Sequence, residues 1–298
     1  MVDILFVLPT WQAILLCLLF AVIYVSSLYI WVEFHFISNC RDHPDVIKRR
    51  FISVSIVCVT APFILWAVAK SSDKAEANDL LTWLGIRFWG FLPSLVVPLF
   101  LTMVLVPWLS LLTELNCLGE PVLVRVELEC NIAKYWTNSV KNYVWLRNHI
   151  VAPLSEEFIF RACMLPLLVP CLGTGWAIIL CPMFFGVAHF HHMIEKVAHG
   201  QQEVAAAFKE SLFQLSYTTV FGAYSAFLFL RTGHLAAPVI AHAFCNHMGF
   251  PSFGEIMGYQ PSTRYRLMAL FAIGLVLWSL FLFPLTSPSL YANDVYVI

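Results

Sequence analysis

The sequence predicts an all-α, polytopic integral membrane protein with about eight transmembrane helices. Of its 298 residues, 60% are hydrophobic and only 12% are charged, whereas a soluble domain has roughly 45–50% apolar and about 25% charged residues. Several apolar runs reach the length of about 20 residues that a transmembrane helix needs. This composition excludes a cytosolic enzyme and a disordered chain. A net charge of −1 provides no basic surface for nucleic acid.

Four apolar runs without charged residues predict transmembrane helices, and four weaker runs bring the predicted total to eight. The uncharged runs are Trp11–Trp31, Phe51–Ala69, Phe91–Leu112 and Leu267–Leu285. The weaker runs lie at about 150–170, 174–190, 211–230 and 235–250, and they contain ionisable residues that lower their hydropathy. The aromatic residues within 113–149 leave two interpretations open, a helix lying in the membrane interface and a solvated loop.

The distribution of Lys and Arg predicts the orientation. With the N-terminus outside the cytosol, twelve of the 17 Lys and Arg residues fall in cytosolic segments and four fall on the opposite side, while Arg161 lies within a helix. Because cytosolic loops carry the excess of Lys and Arg, we expect both chain ends to lie outside the cytosol.

Charged side chains inside a membrane are candidates for function, because each costs about 2.5–3.5 kcal/mol or more to insert. The first such group is Glu156-Glu157, followed by Arg161. On a helix, Glu157 and Arg161 are four residues apart and can form an ion pair, whereas Glu156 points about 100° away. We therefore expect Glu157 to neutralise Arg161, and Glu156 to be available for chemistry.

Two further pairs have the same four-residue spacing, Phe185 with His189 and His242 with Asn246. In isolation, His189 is more often a hydrogen-bonded structural residue, and His242 with Asn246 is more often a hydrogen bond between helices. In the predicted orientation, however, both pairs and Glu156 lie toward the cytosolic ends of their helices. The sequence therefore predicts that the polar members meet around one intramembrane cavity that faces the cytosol.

These residue types suffice for peptide hydrolysis. A carboxylate and an imidazole that share a water can deprotonate it for attack on a carbonyl, and a second His with an Asn amide can donate hydrogen bonds to the oxyanion. No cofactor is needed, although zinc held by Glu156, His189 and His242 is an alternative, because two His and one Glu form a known catalytic zinc set. The HExxH and GxSxG motifs are absent,, and the nine cysteines include no CxxC pair,.

In their order and spacing, these motifs resemble the type II CAAX prenyl protease family, the Ras-converting CAAX endopeptidases of the larger ABI family, and its eukaryotic branch in particular. The three motifs are EExxxR, FxxxH and HxxxN, which match at Glu156, Glu157 and Arg161, at Phe185 and His189, and at His242 and Asn246. The resemblance covers about residues 150–255, roughly a third of the chain.

The resemblance implies an enzyme of the endoplasmic reticulum membrane that releases the aaX tripeptide from prenylated CAAX proteins, such as Ras-type small GTPases. It implies that Glu156 and His189 activate the water and that His242 and Asn246 stabilise the oxyanion. Three residues would support the site, namely Glu157, Arg161 and Phe185.

The resemblance also suggests how the chain is organised. We expect one membrane domain over residues 1–298, with family-specific helices in 1–149, the catalytic ABI-like core in 150–255, and the last helix and tail in 256–298. The expected partners are prenylated proteins and the lipid bilayer, without nucleic acid.

Two other classes of function stay open. A proton-coupled transporter also carries Glu, Arg and His within the membrane, although the sequence shows neither the inverted repeats nor the paired broken helices that many carriers have. A non-catalytic scaffold of the ABI type is the second class, and the intact motifs argue against it. Hydrolysis of a prenylated peptide would distinguish the enzyme from both.

Overall fold

A computed structural model describes residues 3–31, 42–72, 77–105, 132–188, 193, 196–197, 200, 202–249 and 257–296. Within these residues the regular secondary structure is helical except for one short two-stranded ribbon. This confirms the predicted all-α class.

The first part of the chain contains the ribbon and five helices. Strands β1 and β2 pair antiparallel, with Ile4 opposite Ser71. In chain order, the elements are β1 (Ile4–Leu5), α1 (Thr10–Ser27), α2 (Pro44–Val68), β2 (Lys70–Ser71), α3 (Leu80–Trp83), α4 (Phe91–Leu105) and α5 (Ile132–Ser139).

The second part begins with a single helical run in which α-helical and π-helical turns alternate. The run contains α6 (Tyr143–Leu146), a π-helical turn (Arg147–Val151), α7 (Ala152–Glu157), a second π-helical turn (Phe158–Cys163) and α8 (Leu165–Leu172). It is followed by α9 (Thr174–Ala188), α10 (Val204–Thr232), α11 (Ala236–Met248), α12 (Pro261–Leu285) and a 3₁₀ turn (Pro288–Tyr291).

Several helices begin before the apolar run that predicted them. Helix α2 begins at Pro44, where proline suits the first helical position and the His43 ring accepts a hydrogen bond from the Asp45 backbone N–H. Helix α12 likewise begins with a polar turn, and α10 begins at Val204, ahead of the charged pair Lys209 and Glu210 that precedes its predicted run. The hydropathy of the sequence locates only the apolar part of each helix, so these first turns were missed. Residues 106–112 of the predicted third span lie outside the described residues.

Three of the described helices are long and apolar enough to cross a membrane, namely α1, α2 and α12, and α4 and α9 are shorter apolar helices. Large apolar side chains lie on the outside of the bundle, including Phe63 at 71% exposure and Leu280 at 64%, as a lipid-facing surface requires. The chain is therefore an integral membrane protein. Eight crossings, and the side to which the cavity opens, stay predictions.

The run from α6 to α8 lies in the middle of the bundle. Helices α1 and α2 pack against it, and so do α9, α10 and α11. From α1, Tyr24 places its hydroxyl 2.9 Å from Oγ of Ser155 and its ring edge-on to Phe160. The N-terminal helices thus support the segment that carries Glu156 and Glu157.

The C-terminal tail forms hydrogen bonds with the last turn of α10. Nδ2 of Asn293 donates to the carbonyls of Leu230 and Arg231, at 2.8 and 3.2 Å. Two residues after Arg231, Gly233 ends the helix with a φ of 65°, a left-handed conformation that glycine adopts without steric cost.

This packing predicts that Gly233→Ala destabilises the protein more than Gly200→Ala. A methyl group at Gly233 would lie 2.5 Å from Oδ1 of Asn293, whereas Gly200 has the same φ and no atom within 4 Å of that position. Both substitutions cost about 1–2 kcal/mol for the backbone conformation, and the crowding at Gly233 adds about 1–3 kcal/mol. Thermal unfolding in detergent should show the larger loss for Gly233→Ala. Equal losses would contradict this account of the tail.

Candidate active site

One cavity of about 1140 Å³ brings together three of the four residues predicted to do chemistry. Glu156, His242 and Asn246 all line it. The fourth, His189, lies outside the described residues, although Ala188, which precedes it in the chain, also lines the cavity.

A buried carboxylate, that of Glu157, lies directly behind this cavity and binds three side chains. The predicted ion pair is confirmed, with Nε of Arg161 3.2 Å from Oε2 of Glu157 and both side chains fully buried. From α10, the Ser225 hydroxyl donates to Oε2. From α11, Nδ1 of His242 lies 2.7 Å from Oε1. Glu157 thereby connects α7 to the next π-helical turn, to α10 and to α11.

The Arg161 guanidinium occupies a closely fitted space. Its Cζ atom lies 4.6 Å from the ring centroid of Phe185, a distance at which a cation is attracted to an aromatic face. On another side it faces Gly222, where an added methyl group would lie 2.9 Å from Nη2 of Arg161 and 2.8 Å from Cβ of Pro182. Phe185 and Gly222 therefore lie directly against this guanidinium.

The two adjacent carboxylates differ in their exposure. The Glu157 side chain is completely buried, whereas that of Glu156 is 20% exposed and lines the cavity. Oε2 of Glu156 lies 3.8 Å from Nε2 of His242, which exceeds a direct hydrogen bond. A molecule placed beside this gap can interact with both atoms.

The contact with Glu157 fixes the orientation of the His242 ring. An ionised carboxylate only accepts hydrogen bonds, so the proton between these residues belongs to Nδ1 of His242. Nε2 then faces Glu156 on the cavity side. The ring also packs edge-on against Phe221, with centroids 5.1 Å apart, and against Phe185, with centroids 6.2 Å apart.

Asn246 lies one turn beyond His242 on α11. One N–H of its side-chain amide donates to the backbone carbonyl of Asn148, 2.9 Å away, and an amide group has a second N–H. The neighbouring His247 does not line the cavity, and its Nδ1 lies 3.3 Å from Nε2 of His149.

Much of the cavity wall is apolar and aromatic. The aromatic side chains come mainly from α10 and α12, namely Phe213, Tyr217, Phe221, Tyr224, Phe227, Phe271 and Trp278. Such a wall can accommodate a long hydrocarbon chain beside the polar residues.

Three side chains that shape the site were missing from the sequence-based prediction. Ser225 binds Glu157, and Tyr24 and Ser155 join α1 to α7. Only Ser225 gave a signal, since it is a small polar residue three positions after Gly222 within the mostly apolar stretch 220–230. Such residues are common where membrane helices meet.

The described residues, which omit His189, contain no group of three His, Cys, Asp or Glu side chains that could hold a metal ion. The zinc alternative needs His189 as its third ligand. It therefore stays an untested prediction, as does the expectation that no cofactor is required.

Comparison with known proteins agrees with the family that the sequence motifs resemble. Residues 138–248 match the family model described as "Type II CAAX prenyl endopeptidase Rce1-like". No solved structure matches the chain.

Several curated relatives are similar over most of the chain, and each is named CAAX prenyl protease 2. The relative from Homo sapiens is 42% identical over 292 residues, which are 95% of this chain and 84% of that protein. Those from Rattus norvegicus and Arabidopsis thaliana are 38% and 36% identical, again over 95% of this chain and over 82% and 91% of their own lengths. The similarity thus extends well beyond residues 150–255, to which the sequence motifs are confined.

We predict that Ser225→Ala lowers stability, because it leaves the buried Glu157 carboxylate with one hydrogen bond fewer. A hydrogen bond to a charged group contributes about 1.5–3 kcal/mol. Ser216→Ala is the matched control, since the exposed Ser216 of the same helix donates only to the Leu212 carbonyl. Thermal unfolding in detergent should show a clear loss for Ser225→Ala and little change for the control. An equal effect of the two would show that the Ser225 hydrogen bond contributes little.

Proposed function

The chain belongs to the family of type II CAAX prenyl endopeptidases, and from this premise we propose that it removes the C-terminal aaX tripeptide from prenylated CAAX proteins, such as Ras-type small GTPases. The observation that supports this most directly is the cavity itself. It places the carboxylate of Glu156, the imidazole of His242 and the amide of Asn246 against a largely apolar wall.

In the proposed reaction, Glu156 acts with His189 to activate a water. The Glu156 carboxylate accepts one proton from the water as the water oxygen attacks the scissile carbonyl carbon. The tetrahedral intermediate then collapses, the C–N bond breaks, and the proton passes to the nitrogen of the departing tripeptide. Partial exposure suits Glu156 to this task, since a water and a peptide can both reach it.

His242 and Asn246 stabilise the negative charge that develops on the carbonyl oxygen. Nδ1 of His242 donates to Glu157, so the donor to the oxyanion is Nε2, which carries a proton when the ring is an imidazolium. A fixed donor aimed at a developing charge is the usual basis of an oxyanion hole.

Glu157 and Arg161 are positioning residues in this mechanism. The ion pair and the Ser225 hydrogen bond hold the Glu157 carboxylate, and that carboxylate holds the His242 ring. Phe185 supports both, because its ring contacts the Arg161 guanidinium and the His242 ring.

The apolar part of the cavity provides a place for the prenyl chain. Each CH₂ group moved from water into an apolar environment contributes about 0.8 kcal/mol. We propose that the lipid lies against the aromatic side chains of α10 and α12 while the peptide reaches Glu156. The accompanying topology has eight spans in the endoplasmic reticulum membrane, with the cavity open to the cytosol, where prenylated tails are found.

We predict that Glu156→Gln strongly reduces cleavage without unfolding the protein. Glutamine keeps the shape of the side chain but cannot accept the proton, so kcat should fall by about 10²–10⁴. The measurement is tripeptide release from a prenylated CAAX peptide by purified, reconstituted protein, with and without a strong zinc chelator.

Two other outcomes would change the mechanism or the function. Cleavage that the chelator stops would assign water activation to a zinc ion at Glu156, His189 and His242. No cleavage by folded wild-type protein would contradict the endopeptidase and favour a scaffold or a proton-coupled transporter.

We further predict that His242→Gln reduces cleavage strongly and that His247→Gln does not. Loss of one oxyanion donor costs about 10²–10³ in kcat, and His247 does not line the cavity. Tripeptide release by the two variants measured side by side tests this assignment. A comparable loss in both would place the effect in the folding of α11 and contradict a chemical role for His242.

A further inference from the structure

Two positively charged side chains line the cavity. Among the described residues that line it, Arg50 of α2 and Arg147 of the first π-helical turn are the only Lys or Arg, and Glu156 is the only acidic residue. Helix α2 packs against the helical run that contains Arg147. Asp42, just before α2, accepts from Nη1 of Arg147 at 2.8 Å, and Nζ of Lys48 lies 4.9 Å from the Tyr143 ring centroid.

Arg147 is held in place before any ligand arrives. Besides the bond to Asp42, its Nε donates to Oδ1 of Asn148 at 3.0 Å, and its side chain is 18% exposed. A guanidinium is a planar fork that loses little freedom when it binds a carboxylate, once its orientation is fixed.

The spacing between Arg147 and Glu156 matches a short peptide. Arg147 and Glu156 are nine residues apart in one helical run, at most about 14 Å at 1.5 Å per residue. Three extended residues span about 10 Å, and the two long side chains shorten the remaining gap. When a scissile carbonyl lies beside Glu156, the end of a three-residue tail therefore reaches Arg147.

Resting on the endopeptidase function proposed above, we propose that Arg50 and Arg147 form a subsite for the C-terminal carboxylate of the substrate. Arginine N–H groups form charge-assisted hydrogen bonds with carboxylates, and the attraction is stronger in a largely apolar cavity than in water. Glu156 repels the same carboxylate, which favours its placement beside the arginines. The position of the cut is then measured from the chain end, which explains the release of a tripeptide.

The test compares two prenylated CAAX peptides that differ only at the C-terminus, one a carboxylate and the other a neutral carboxamide. With full-length protein in phosphatidylcholine vesicles, kcat/KM should be about tenfold or more higher for the carboxylate, as expected for hydrogen bonds to a charged group. In Arg50→Gln and in Arg147→Gln this ratio should fall toward one, whereas Arg50→Lys should restore part of it.

The matched control is Arg49→Gln. Arg49 neighbours Arg50 on α2 but does not line the cavity, and its Cζ lies 5.8 Å from a ring centroid of Trp31. This variant should keep the wild-type ratio, because it removes the same charge from the same part of the protein without touching the proposed subsite.

The possible outcomes separate this proposal from the general function. Equal cleavage of both peptides by wild-type protein would overturn the subsite and leave the endopeptidase intact, a comparison that needs no variant to fold. No cleavage of either peptide would overturn both. A wild-type ratio in the Arg50 and Arg147 variants would also overturn the subsite.

Lipid headgroups are the other anions that two arginines near a membrane surface can bind. The same measurements are therefore repeated in vesicles containing phosphatidylserine. If Arg50→Gln affects both peptides equally, and only in these vesicles, the arginines bind a lipid headgroup and the carboxylate subsite is overturned.

Discussion

The buried carboxylate of Glu157 is the interaction on which the rest of the site depends. It is completely excluded from solvent and contacts Arg161, Ser225 and His242. Breaking a buried charge pair by removing one partner costs about 3–5 kcal/mol, because the other charge is left uncompensated. The positions of α7, α10 and α11 are therefore coupled through this one group, and any movement of these helices changes the orientation of the His242 ring.

Placing two glutamates next to each other on one helix gives them different environments. The 100° turn between successive residues directs Glu157 into the bundle, where a guanidinium neutralises it, and directs Glu156 into the cavity. Glu157 is committed to holding His242, while Glu156 stays within reach of a substrate. A single carboxylate could not serve both purposes, since the buried position excludes water.

Several parts of the cavity wall come from helices that carry none of the recognised motifs. Tyr24 of α1 supports Ser155, Arg50 of α2 contributes charge, and Trp278 of α12 contributes aromatic surface. This involvement of both ends of the chain agrees with the similarity to curated relatives, which covers 95% of the sequence. The site is thus a property of the whole bundle rather than of the central segment alone.

The sequence by itself determined the membrane class, most of the helices, and the local ion pair between Glu157 and Arg161, because these follow from composition and from spacings of about one helical turn. Only the tertiary structure decided that Ser225, 68 residues away, completes the Glu157 network, that His242 turns Nε2 toward Glu156, and that Arg50 and Arg147 line the same cavity. It also decided that the predicted helix at 150–170 contains a π-helical turn. These features depend on how distant helices pack, and the packing of one helix against another leaves no periodic trace in a single sequence.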